Sequence, residues 1–136
     1  CDCIHVAPEF IRMMIQCKGL DHLVAVSDSS CLLGCPEGEY RMGDKQVFLK
    51  AGAVRDNHGK LVTGAHSFDE NMRTLRRKGF TLEEIGCLCA ENAAKILNLK
   101  DRGKIEVGRR ADLVLMDTDL HVQKTMIEGQ WFYQHD

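Results

Sequence analysis

The run Leu23-Val24-Ala25-Val26-Ser27-Asp28 constrains the fold more than any other stretch. An unbroken apolar run of this length reads as a strand covered on both faces, as in parallel α/β sheets. In those architectures ligands and chemistry collect just beyond the C-terminal ends of the strands. Asp28 closes the run and is therefore the candidate catalytic group. Asp28-Ser29-Ser30 is also good turn material, so a capping role competes with a chemical one.

The segment upstream supplies a partner. Cys1-Asp2-Cys3-Ile4-His5-Val6 reads as a strand already under way with no Met before it, which suggests the C-terminal portion of a longer protein. Pro8 suits a first helical position and Glu9 suits the positive end of a helix. Phe10, Ile11, Met14 and Ile15 recur at helical spacing, and Lys18-Gly19 supplies a stop. Strand, helix and strand predict a right-handed parallel βαβ unit over 1–34. His5 and Asp28 then lie at one common sheet mouth.

The texture changes after that. Pro36, Gly38, Gly43, Gly52 and Gly59 punctuate short runs such as Gln46-Val47-Phe48-Leu49, which predicts hairpins over 35–63. Helices are expected over 64–102, opened by capping boxes at Ser67-Phe68-Asp69-Glu70 and Thr81-Leu82-Glu83-Glu84. The first carries Phe68, Met72 and Leu75 on one face. The second carries Ile85, Leu88, Ile96 and Leu97. Strands return over 103–136, from Ala111 to Asp117, from His121 to Ile127 and through Trp131-Phe132-Tyr133. With the middle hairpins they predict one small sheet.

Composition excludes several classes of function. A chain of 136 residues suits one modest domain, and a net charge of -2 gives no reason to expect nucleic acid or an anionic membrane as partner. No apolar run approaches the roughly 20 residues needed to cross a bilayer. Seven cysteines are an odd count without a Cys-x-x-Cys pair, which argues for reduced structural thiols and a cytoplasmic setting.

Gly103-Lys104-Ile105-Glu106-Val107-Gly108-Arg109-Arg110-Ala111-Asp112-Leu113-Val114-Leu115-Met116-Asp117 resembles the closing signature of the amidohydrolase superfamily, and Glu91-Asn92-Ala93-Ala94-Lys95-Ile96-Leu97 resembles the helix before it. Asp2-Cys3-Ile4-His5-Val6-Ala7-Pro8, Val26-Ser27-Asp28-Ser29 and Pro36-Glu37-Gly38-Glu39-Tyr40 are similar to strand ends and a turn of one branch, the N-acetylglucosamine-6-phosphate deacetylases. The likeness implies an α/β fold: the C-terminal part of a metal-dependent (β/α)8 barrel, strands seven and eight plus closing helices, with part of a small β-sandwich. Cys3 stands where that branch carries Gly, and Thr63-Gly64-Ala65 where it carries Ala-Gly-Ser.

The resemblance also implies a reaction. Asp28 corresponds to the carboxylate that moves a proton from water to the departing sugar amine. Asp2, Cys3, Ile4 and His5 would line the substrate, with the His5 ring near the sugar phosphate, and Val62-Thr63-Gly64 would border the sugar. A divalent metal, zinc or iron, is implied with its ligands on earlier strands outside this chain. His22, His58, His66, His121 and His135 are scattered, with no two spaced one helical turn apart. His22 is placed at the start of a strand, away from the mouth. The whole protein is expected to be a homodimer, and this chain alone to be inactive and prone to association through unpaired strand edges. Another N-acetyl sugar phosphate, a cyclic amide, or a non-catalytic assembly module are the alternatives.

Overall fold

The computed structural model describes residues 1–134, so His135 lies outside the described residues. Helix α1 spans Pro8–Lys18, with Pro8 at its first position, and a 3-10 turn follows at Leu20–His22. Gly19 ends α1 in the left-handed region at φ 86°, where glycine alone is unstrained. Strands β1 (Gly38–Met42), β2 (Lys45–Lys50), β3 (Ala53–Asp56) and β4 (Leu61–Gly64) form one antiparallel meander. Tyr40 pairs with Val47, and Leu49 with Val54. Val47, Leu49, Val54, Leu32 and Ala65 form the apolar cluster on its covered face.

Helix α2 (Phe68–Arg77) leads to α3 (Leu82–Gly86), a π turn (Cys87–Glu91) and α4 (Asn92–Ile96). A second antiparallel sheet, β5 (Leu113–Met116), β6 (Val122–Ile127) and β7 (Gln130–Gln134), follows. The main cluster joins α1 to the helices through Ile11, Leu75, Phe80, Ile85 and Leu120. Among the described residues, no helix is long and apolar enough to cross a membrane.

Five sequence expectations need correction. The strands expected to flank α1 do not form among the described residues. In 1–6 the Asp2 carboxylate accepts the amides of Ile4 and His5 and bends the chain into a turn, with Cys3 at φ 59°. The segment 23–28 is extended but forms no ladder, and two of its polar groups are taken up by the helices. The Ala25 amide donates to Leu88 O at the π turn, and the Asn92 side chain donates to Leu20 O and Leu23 O. His22 therefore ends a 3-10 turn instead of starting a strand.

Only one of the two capping boxes is complete. Thr81 and Glu84 bond each other's backbone reciprocally, whereas Ser67 accepts the Glu70 amide and Glu70 turns its carboxylate toward His66, 3.7 Å away. The helix after Thr81 buries Ile85 and Leu88 but exposes Ile96 and Leu97. The π turn between them adds a residue to the winding and rotates the apolar face away. Finally, the hairpins and the terminal strands make two separate sheets, not one.

All seven cysteines are free thiols, Cys17 and Cys31 exposed and the others partly buried. Burial pushes the Cys89 thiol up to about 11 and also raises Cys87. A thiolate-selective reagent at pH 8 should label Cys17 and Cys31 first, with Cys89 slower by at least about tenfold. Peptide mapping of the time course reads this directly, and equal rates would contradict the burial.

Candidate active site

Asp2 and His5, three residues apart, meet the distant Asp28 in a line through the two nitrogens of the His5 ring. His5 Nδ1 lies 2.8 Å from Asp2 Oδ2, and His5 Nε2 lies 3.0 Å from Asp28 Oδ2. Exposure is graded along that line: the side chains are 1% accessible at Asp2, 23% at His5 and 59% at Asp28. Of the three, Asp28 faces solvent most openly and is the group a ligand meets first.

The backbone fixes each member. Asp2 Oδ1 accepts the amides of Ile4 and His5 at 3.0 and 3.1 Å, so its turn sets where the His5 ring begins. Burial alone would raise the Asp2 carboxyl, but these two amides and the His5 ring outweigh it and hold it below the usual carboxylate range. Asp28 sits at φ 50°, in the left-handed region that Asp tolerates better than most residues. Its carbonyl is clamped by the Gly64 amide at 3.1 Å and the Thr63 hydroxyl at 3.0 Å. The Ser30 amide returns a bond to Gly64 O, and Ser29 and Gly64 make a parallel bridge.

The residues expected at the site thus divide. Asp2, His5, Asp28, Thr63 and Gly64 come together. Cys3 turns its side chain onto the main apolar cluster, where burial raises its thiol, and Ile4 contributes its amide. Val62 is exposed, one residue back from Thr63 on an alternating strand and so on its other face. Both ring nitrogens of His5 face carboxylates, so the ring reaches a phosphate only by giving up one of them. Two supports carried no sequence signal beyond being asparagines within helices: Asn71, whose side chain donates to Ser27 O at 3.4 Å, and Asn92.

Gly64 is required for the close approach. A Cβ there would lie 3.0 Å from Asp2 Oδ2, 3.2 Å from Asp28 O and 3.4 Å from His5 Cε1. Gly64→Ala should cost about 1–3 kcal/mol by overpacking. Chemical denaturation checks it, and an unchanged midpoint would mean that this contact is loose.

Beside His5 and Asp28 lies an apolar cavity of about 200 Å³, lined by Met14, Val24, Val26 and Leu88 among others. A larger cleft of about 340 Å³ lies between α4 and the loop before β5. Several of its cations are already paired: Lys104 with Glu91, Arg109 with Glu106 and Arg102 with Asp101. Among the described residues, no group of three or more His, Cys, Asp or Glu side chains is arranged to hold a metal ion. Within the Asp2–His5–Asp28 line, Asp2 is spent on two amides and His5 has a carboxylate at each nitrogen.

The model of the Amidohydrolase family matches residues 56–129. The chain is 29% identical over 130 residues to N-acetylglucosamine-6-phosphate deacetylase of Lysinibacillus sphaericus, covering 95% of this chain and 34% of that protein. It is also 29% identical to N-acetylgalactosamine-6-phosphate deacetylase of Escherichia coli O157:H7, covering 93% of this chain and 34% of that protein. The crystal structure of N-acetylglucosamine-6-phosphate deacetylase from Thermotoga maritima superposes with a TM-score of 0.89 at 32% identity, covering 99% of this chain and 38% of that one. The chain spans about a third of the length of most of the curated relatives it matches.

Proposed function

The chain belongs to the amidohydrolase family, and from that premise we propose that the whole protein removes the acetyl group from N-acetylglucosamine-6-phosphate, giving glucosamine-6-phosphate and acetate. The observation that carries the reading is the exposed Asp28 carboxylate, contacted by His5 on a residue whose main-chain carbonyl is held by Thr63 and Gly64. On this reading 1–6 and 23–28 correspond to barrel strands seven and eight, which gain ladder partners only in the whole barrel. The divalent metal of such a hydrolase is held by residues outside this chain.

The proton path uses this chain's own residues. As water attacks the acetamide carbonyl carbon, one of its protons passes to Asp28 Oδ2. When the C–N bond breaks, Asp28 returns that proton to the departing amine nitrogen and is again a carboxylate. The oxygen of the water ends in acetate, so atoms balance. One carboxylate serves first as base and then as acid, which requires exposure to substrate and a fixed carboxyl plane. The clamped carbonyl of Asp28 and its contact with His5 supply the second.

The deciding experiment measures acetate release by the whole protein, supplied with zinc or iron, from N-acetylglucosamine-6-phosphate, its galactose epimer and a cyclic amide. The highest kcat/KM should fall on the first. A preference for the galactose epimer would move the substrate to the class of the second relative, and no release from any would overturn the reading.

A further inference from the structure

Asp2 is the innermost member of the line and cannot touch a ligand, since its side chain is 1% accessible and Oδ1 is taken by two amides. Only Oδ2 remains, and it is directed at His5 Nδ1. Resting on the reading of Asp28 as the proton carrier, we infer that Asp2 is a positioning residue that keeps the His5 proton on Nδ1 and presents the Nε2 lone pair to Asp28.

The argument is a proton count. An ionised carboxylate accepts hydrogen bonds and donates none. Asp2 receives three donors in the turn, so the ring nitrogen facing it must carry a proton. A neutral imidazole then has its lone pair at Nε2, 3.0 Å from Asp28 Oδ2. Two bare acceptors repel at that distance, so the 3.0 Å contact is that of the protonated carboxyl group, the state Asp28 enters when it takes its proton from water. While Asp28 holds it, the carboxyl O–H donates to Nε2. When the amine nitrogen takes it, that O–H bond breaks and the new N–H bond forms, with no further reactant required. His5 thereby holds the carboxyl group in one orientation between the two transfers, and Asp2 decides that the correct nitrogen faces it.

Asp2→Asn separates this role from a merely structural one. The asparagine oxygen still accepts the Ile4 and His5 amides, but its NH2 group now faces Nδ1 and only donates. His5 must then carry its proton on Nε2. Nitrogen-15 spectra of the imidazole in the full chain should show Nδ1–H in the wild type and Nε2–H in the variant. In the whole protein kcat should fall by about 10²-fold with KM little changed. Nε2–H in the wild type would overturn the inference, and this reading holds even where the variant fails to fold. A swapped proton with unchanged kcat would overturn it as well. Unchanged turnover in Asp28→Asn would instead overturn the functional reading, whatever the tautomer.

Discussion

Asp28→Asn should lower kcat of the whole protein by about 10²–10⁴-fold, the usual worth of a positioned acid–base group, while substrate affinity is largely kept. The substitution is isosteric, and the backbone tolerates it. Asparagine accepts the left-handed φ of 50° at least as readily as aspartate. The bonds from Thr63 and Gly64 go to the main-chain carbonyl and survive unchanged. The side chain is 59% accessible, so little desolvation energy is at stake. Stability should therefore stay within about 0.5 kcal/mol of the wild type. Steady-state kinetics and a denaturation curve on the same sample test both halves. Near-normal turnover in a folded variant would remove Asp28 from the proton path, whereas lost turnover with lost stability would point to a turn-capping role.

What the sequence made legible here was local. The start of α1 at Pro8, the Gly19 stop, the Thr81 box and the β2 hairpin depend on residues within a few positions of each other. Strand assignments for 1–6 and 23–28 failed because a strand exists only if a neighbour takes its amides. Asp2 claimed two of those amides, and Leu88 took the one from Ala25. The meeting of His5 and Asp28 was nevertheless legible, since both close apolar segments joined by one helix. Asp2 was read as lining the substrate, because nothing in its spacing distinguishes a buried carboxylate behind a histidine from one in front of it. The π turn was invisible for a related reason: its extra residue is stabilised by packing, not by a local signature.

Phe80→Ala should be the most damaging change to the fold, costing about 3–5 kcal/mol. Phe80 is fully buried among Ile11, Leu75, Ile85 and Leu120, the cluster that ties α1 to α2 and α3. Its ring also carries the Arg12 guanidinium 4.2 Å above the centroid, a contact worth about 0.5–1 kcal/mol at a partly exposed position. Arg12→Ala removes that contact and leaves the ring in place, so it should shift the urea midpoint far less than Phe80→Ala does. The two values separate packing from cation–π attraction. Domains are stable by only about 5–15 kcal/mol, so the larger loss consumes much of the margin. It should also reach the site, because Cys1, Cys3 and Val6 pack on the same cluster and anchor the turn that holds Asp2 and His5. Turnover in Phe80→Ala should therefore fall at temperatures below its melting transition. A variant that melts with the wild type, or that keeps full turnover until it melts, would show that the turn at Asp2 is held from elsewhere.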